Sequence, residues 1–98
     1  MTIQKTKNGS ELVLSIGGRL DTMTAPELEK ECRESLEGVT ALTIDLANLE
    51  YISSAGLRVL LSAQKIMNHA GTMKLIHVSE TVMEIFEVTG FTDILTIE

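Results

Sequence analysis

The chain has 98 residues, which is enough for one domain and too few for two. Its 44% of hydrophobic and 22% of charged residues are ordinary for a globular protein, so disorder is not expected. Fourteen acidic against eight basic residues give a net charge of −6, which argues against binding to a nucleic-acid backbone or to an anionic membrane surface. We therefore expect the domain to bind another protein or a small ligand.

The cysteine content and the N-terminal sequence predict a cytoplasmic protein. A single cysteine cannot form an internal disulfide, so nothing points to an oxidising compartment. The first residues lack the apolar run of a signal peptide. No stretch of the chain approaches the roughly 20 apolar residues that a membrane-spanning helix needs.

The chain begins with a predicted β-hairpin. Asn8-Gly9 is typical of a tight hairpin turn, with a strand near 2–7 before it and a stronger strand near 10–17 after it. The second strand alternates apolar and other residues at the period of a half-buried strand. The pair Gly17-Gly18 then either ends this strand or introduces a bulge.

A helix is predicted from Thr24 to Gly38. Thr24 and Glu27 have the spacing of a capping box, in which the threonine hydroxyl caps the helix and the glutamate bonds back. Met23 and Leu28 have the spacing of a hydrophobic staple across the same helix start. Gly38 is the expected stop.

The remaining sequence alternates strands and helices. The patterns predict a strand at 39–46, a loop at 47–52, a helix at 53–70, a strand at 73–78, a helix at 79–89 and a short strand at 94–97. The order ββαβαβαβ implies an α/β fold with a mixed, mostly parallel sheet and right-handed crossovers.

The sequence contains no recognisable catalytic or metal-binding motif. Neither of the two histidines has a neighbouring co-ligand, so no metal site is predicted. Cys32 lies on the apolar stripe of its helix, where burial raises the thiol pKa and makes it inert. No set of nucleophile, base and orienting residue can be assembled, so we expect neither an enzyme nor a cofactor.

Two serines follow the predicted loop at 47–52. Ser53 has the position of a helix N-cap, Ser54 would then be a surface residue, and Gly56 would permit close packing. Open α/β sheets also place functional groups here, beyond the carboxyl ends of their strands. Spacing alone favours the structural interpretation and leaves the functional one open.

Two segments carry a resemblance to a known family: DLANLEYISSAGL at 45–57 and GRLDTMTA at 18–25. They resemble the STAS domain of bacterial anti-sigma-factor antagonists, and the resemblance extends over essentially the whole chain, as one STAS domain at 1–98. It implies a small α/β domain with a mixed, mostly parallel sheet of four or five strands flanked by helices.

The resemblance also implies a function and a set of site residues. The domain would bind an anti-sigma factor that is a serine kinase, free the sigma factor, and be switched off by phosphorylation of Ser54. A protein serine phosphatase would be a further partner, and the free chain would be a monomer. The partner-binding residues would be Asp21, Thr22, Met23, Ser53, Ser54, Gly56 and Arg58.

The sequence departs from the family pattern at two positions. The usual Asp before the phosphoacceptor is Ser53, and the usual Ser or Thr after it is Ala55. Ser53 is therefore a second candidate acceptor. An alternative function is a STAS module that is never phosphorylated and serves in a larger complex such as a transporter assembly. A small-molecule site above the sheet is a third, less favoured, because aromatic residues are scarce.

Overall fold

The computed structural model of the chain describes residues 1–98, and its first element is the expected hairpin. Strand β1 (Thr2–Asn8) pairs antiparallel with strand β2 (Glu11–Leu20). The turn is made at Gly9, whose φ of 64° lies in the left-handed region that glycine tolerates best. The hairpin is confirmed, but its turn lies one residue later than the Asn-Gly signal predicts, because Asn8 pairs with Glu11 and the two loop residues are Gly9 and Ser10.

The sheet has four strands in the order β1-β2-β3-β4. Strand β3 (Ala41–Ile52) is parallel to β2, and strand β4 (Thr72–Ile76) is parallel to β3. Only the hairpin pair is antiparallel. The expectation of a mixed, mostly parallel sheet is confirmed, with the smaller of the two strand numbers.

Three helices cover one face of this sheet: α1 (Ala25–Ser35), α2 (Ser54–Ala70) and α3 (Glu80–Thr89). A short 3-10 helix (Phe91–Asp93) follows α3. The buried side chains form one hydrophobic cluster of 24 residues, which includes members from β2, β3 and β4 and from every α-helix. No helix has the combined length and apolar character needed to cross a membrane.

Strand β3 is longer than the sequence pattern indicates, and the predicted loop at 47–52 is wrong. Bulges shift the register with β2 after Ser15 and again after Gly18, so the two strands keep pairing until Leu20 meets Ile52. The glycine pair therefore does not end β2. The extra residue of each bulge lies on the partner strand β3, opposite the segment of β2 that contains Gly17 and Gly18. The bulges interrupt the alternation of buried and exposed side chains in β3. The sequence of 47–52 therefore does not show the two-residue period of a strand.

The predicted strand at 94–97 is reduced to a single parallel bridge between Leu75 and Ile97. The Leu75 N–H donates to the Thr96 carbonyl at 2.9 Å, and the Glu98 N–H donates to the Leu75 carbonyl at 2.9 Å. Strand β4 itself ends at Ile76 and not at 78. His77, the next residue, leaves the extended conformation and has a φ of 57°, in the left-handed region.

The capping box at the start of α1 does not form. Thr24 has φ −104° and ψ −20°, which is helical and not extended backbone, and its side chain makes no capping hydrogen bond. Its hydroxyl donates instead to the Arg19 carbonyl at 2.8 Å and accepts from the Asp21 N–H at 2.8 Å. Met23 is 87% exposed, so the predicted staple to Leu28 is also wrong.

Candidate functional site

The candidate site lies where the parallel strands β2 and β3 end side by side. Leu20 and Ile52 are the last paired residues, and the Ser53 N–H donates to the Leu20 carbonyl at 2.9 Å. The loop from Asp21 to Thr24 and the start of α2 therefore leave the same edge of the sheet. This is the edge at which open α/β sheets place their functional groups.

Asp21 organises the loop between β2 and α1. Its Oδ1 accepts from the Met23 N–H at 3.0 Å and from the Thr24 N–H at 3.2 Å, and its carbonyl accepts from the Ala25 N–H at 2.8 Å. Desolvation raises the pKa of the Asp21 carboxyl, but the hydrogen bonds from the Met23 and Thr24 backbone, the Thr24 hydroxyl and the charge of Arg19 together outweigh it, so the pKa lies below its usual range. Asp21 therefore holds a fixed negative charge at neutral pH.

Arg19 and Tyr51 are two site residues that the sequence did not reveal. The Arg19 guanidinium lies 4.4 Å from the centre of the Tyr51 ring, and its Nε lies 3.7 Å from Asp21 Oδ2. The two residues face each other across the parallel strands. Only the bulged register between β2 and β3 places Arg19 opposite Tyr51. A single sequence does not show this register, because it depends on how two distant strands align.

The two serines have different environments. Ser53 is the N-cap of α2, has an extended backbone, and its Oγ accepts from the Gly56 N–H at 3.5 Å. It is half-buried, whereas Ser54 is the first residue of α2 and is exposed. The N-cap prediction for Ser53 is confirmed, and Ser54 is the more accessible of the two hydroxyls.

Gly56 allows the first turn of α2 to lie against the end of β2. A Cβ at this position would stand 2.7 Å from Leu20 Cγ, 2.9 Å from Ile52 Cγ1 and 3.0 Å from the Leu20 carbonyl oxygen. Real Cβ atoms do not approach other heavy atoms so closely. Gly56 is buried against Leu20 and Ile52, so it determines how closely the helix start with Ser53 and Ser54 packs on the strand ends.

A groove of about 350 Å³ runs beside the site, between α1 and α2. Thr22 and Ala25 line one side, and Ala55 and Arg58 line the other. Arg58 is exposed and forms no ion pair within the chain. The structure thus brings Thr22 and Arg58, predicted from separate motifs, onto one groove.

The residues set apart from this site have structural partners. Burial first, and then the neighbouring Glu31 and Glu29, raise the pKa of the Cys32 thiol to about 11, as expected for a buried and inert thiol. His77 Nδ1 lies 2.9 Å from Asp45 Oδ1. No three histidine, cysteine, aspartate or glutamate side chains lie close enough together to hold a metal ion.

Comparison with known proteins gives consistent matches. A sequence profile described as the STAS domain matches residues 2–98. An anti-sigma-B factor antagonist of Staphylococcus epidermidis is 33% identical over 86 residues, which cover 84% of this chain and 78% of that protein.

Two solved structures share the fold. The crystal structure of an anti-sigma factor antagonist from Mycobacterium paratuberculosis matches with a TM-score of 0.88 at 23% identity, covering 98% of this chain and 83% of that one. The Bacillus cell fate determinant SpoIIAA in its phosphorylated form matches with a TM-score of 0.76 at 18% identity, covering 99% of this chain and 91% of that one.

Proposed function

Because this chain belongs to the STAS domain family, we propose that it is an anti-sigma-factor antagonist switched by phosphorylation of Ser54. Unphosphorylated, it binds an anti-sigma factor that is a serine kinase and thereby frees the sigma factor. Phosphorylation ends that binding, and a protein serine phosphatase restores it. The observation that carries the proposal is the exposed Ser54 at the first position of α2, next to the anionic loop of Asp21.

The exposed side chains around Ser54 have the character of a binding surface. Met23 is a large apolar residue that is 87% exposed, which leaves its apolar surface free for a partner. Thr22 and Arg58 are exposed on the adjoining groove, and Asp21 fixes the loop that carries Met23. These residues, with Ser53 at the rim, form the proposed contact surface.

Ser54 is a better acceptor than Ser53. A kinase needs the attacking hydroxyl to be accessible, and Ser54 is exposed while Ser53 is half-buried. The Ser53 hydroxyl is also engaged as the cap of α2 through its contact with the Gly56 N–H. Phosphorylation of Ser53 would remove that cap from its helix.

Phosphorylation of Ser54 leaves the fold intact. A phosphoserine adds about 1.5 to 2 negative charges. At the N-terminus of α2 these charges meet free N–H groups and the positive end of the helix dipole, which contributes roughly 0.3–1 kcal/mol at an exposed position. The modification is therefore neutral or slightly stabilising for the domain alone.

The same phosphate is costly in a packed interface. It must be desolvated, and like charges brought together across an interface cost several kcal/mol. Asp21 and the exposed Glu50 are the carboxylates at this edge of the sheet, and Arg19 and Arg58 are the neighbouring cations. The cost of the phosphate therefore comes first from its desolvation and from any carboxylate that the partner presents. Since each 1.4 kcal/mol is a factor of ten in affinity, one phosphate changes partner binding by orders of magnitude.

The first test is incubation of the chain with its cognate anti-sigma kinase and ATP, followed by mapping of the phosphate by mass spectrometry. We expect modification of the wild type and of Ser53→Ala, and none of Ser54→Ala. The Ser53→Ala variant loses its helix cap and about 0.5–2 kcal/mol of stability, so its phosphorylation would separate the acceptor role from the capping role. Phosphate that survives Ser54→Ala would assign the site to Ser53.

The second test compares Ser54→Asp with the wild type in thermal unfolding and in binding to the anti-sigma kinase. We expect the same melting temperature within about 2 °C, and a loss of affinity of roughly tenfold or more. Unchanged binding, together with absence of phosphorylation by any co-encoded kinase, would contradict the switch. That result would favour a STAS module that is never phosphorylated.

A further inference from the structure

The net charge of the chain is concentrated in its last quarter. Residues 75–98 contain five acidic residues and no lysine or arginine, whereas residues 1–74 contain nine acidic and eight basic residues. Nearly all of the excess negative charge therefore lies on α3 and the segment after it. None of these acidic residues belongs to the site around Ser54.

Most of these carboxylates have no counterion within the chain. Glu98 lies 3.8 Å from the Lys74 ammonium, but Glu80, Glu84, Glu87 and Asp93 take part in no ion pair. All four are exposed. Their charge is thus available to a partner.

A groove on α3 contains two apolar side chains, Ile85 and Val88, beside Glu84. Val88 is 87% exposed, and it lines this shallow groove of about 310 Å³ with Ile85, Thr81 and Thr89. The Thr89 hydroxyl donates to the Ile85 carbonyl at 2.7 Å, so its polar atom is already satisfied within the helix. Ile94, just after the 3-10 helix that packs on α3, is 44% exposed.

The stability of α3 does not explain this arrangement. Glu80 and Glu84 are four residues apart, and Glu84 and Glu87 are three apart, so like charges are neighbours on the helix surface and repel. Glu87 also lies in the last turn, where a negative charge opposes the helix dipole, and that turn has no basic residue. Glu80 lies in the first turn, where its charge favours the helix dipole, but Glu84 and Glu87 weaken the helix and therefore point to a use outside the fold.

We propose that the exposed surface of α3 at the groove of Thr81, Glu84, Ile85, Val88 and Thr89, bordered by the exposed Glu87, binds a basic amphipathic helix of a partner protein. The apolar side chains of such a helix fit the groove at Val88, and its lysines or arginines pair with the surrounding carboxylates. A second copy of this chain would oppose its own acidic face in a two-fold contact, and an anionic membrane would be repelled. The proposal does not depend on Ser54.

A synthetic peptide of about 14 residues, with leucine along one helix face and lysine elsewhere, is the probe. Its binding is followed by amide chemical shifts in NMR and by titration calorimetry. We expect shifts confined to α3 and the residues up to Ile94. A peptide of the same composition, shuffled so that the leucines no longer share one face, should bind at least roughly fivefold more weakly.

Matched variants separate charge from apolar contact. Glu84→Gln/Glu87→Gln should weaken peptide binding roughly fivefold or more. Glu34→Gln/Glu37→Gln, which removes the same charge from exposed positions at the end of α1, should leave it unchanged. Val88→Gln, at an exposed position and with no change of charge, should weaken binding roughly three- to tenfold.

Several results would overturn the proposal. In the affinity measurements, these are an equal loss of peptide affinity in both double variants or an unchanged affinity in Val88→Gln. In the NMR spectra, they are amide shifts that spread over α1 or amide shifts that appear when the protein is concentrated without peptide. Ser54→Asp should bind the peptide as the wild type does, so failure of the switch at Ser54 is distinguishable from failure at this face.

Discussion

Asp21 and Gly56 determine the local geometry of the candidate site through backbone contacts. Asp21 binds two backbone N–H groups and so fixes the loop that presents Met23. Gly56 lets the first turn of α2, which contains Ser54, approach the end of β2. The local geometry around Ser54 thus depends on Asp21 and Gly56.

Replacement of Gly56 by alanine tests the close approach of α2 to β2. The added Cβ would clash with the Leu20 side chain and backbone, so we expect a loss of about 1–3 kcal/mol in the free energy of unfolding. Urea unfolding measures the loss. Ser54→Ala, at an exposed position two residues before, serves as the control and should stay within about 0.5 kcal/mol of the wild type. Equal stability of Gly56→Ala and the wild type would show that the turn has room for a side chain.

Acidification tests the role of the Asp21 carboxylate. Because its pKa is lower in the folded chain than in the unfolded one, its hydrogen bonds stabilise the fold above about pH 4 and are lost as the pH falls through the folded pKa. Between about pH 5 and pH 3 the wild type should therefore lose more unfolding free energy than Asp21→Asn, which keeps an acceptor oxygen but does not titrate. Parallel pH profiles for the two proteins, measured by urea unfolding, would contradict this account.

At the scale of elements, most helices and strands could be predicted from the sequence, because their apolar periodicity is a local property. The hairpin, the Ser53 cap and the three helices follow from such patterns. The failures share a cause, which is that a distant partner decided the conformation. Bulged pairing with β2 extended β3 over 47–52. A hydrogen bond to the Arg19 carbonyl drew the Thr24 hydroxyl away from the helix it was expected to cap.

The candidate site shows the same division. A single helix start determines the positions of Ser53, Ser54 and Arg58. Asp21 lies on another element and was indicated only by the resemblance to the STAS family. The contact between Arg19 and Tyr51 needed the register of two strands. Sequence patterns therefore indicated the residues on one element and missed the contacts made between elements.

The charge pattern of α3 leads to a prediction about the helix itself. Glu87→Lys should raise the free energy of unfolding by about 0.3–1 kcal/mol, because it removes repulsion with Glu84 and places a positive charge in the last turn. Glu80→Lys is the matched comparison, because it also removes a repulsion with Glu84 but places its positive charge in the first turn, where the helix dipole disfavours it. We therefore expect Glu80→Lys to stabilise the domain less than Glu87→Lys, or to destabilise it. Urea unfolding at low salt measures both, and an equal gain from the two variants would contradict the dipole argument.

The two proposals concern separate surfaces of the molecule. At the edge around Ser54, the proposed phosphorylation would add negative charge. On α3 the charge is permanent and lacks internal counterions. The net charge of −6 therefore describes neither surface by itself.

This uneven distribution predicts how salt affects stability. Charges that repel within one exposed surface are screened as ionic strength rises, so raising sodium chloride from about 0.05 M to about 0.3 M should stabilise the fold. A gain of about 0.5 kcal/mol would raise the melting temperature by about 2–4 °C. The response should be smaller in Glu84→Gln/Glu87→Gln, because the repelling charges are gone. It should persist in Glu34→Gln/Glu37→Gln, because that region already contains Lys30 and Arg33. An equal reduction in both double variants, measured by calorimetry, would show that net charge alone governs the salt response and that its location on α3 does not matter.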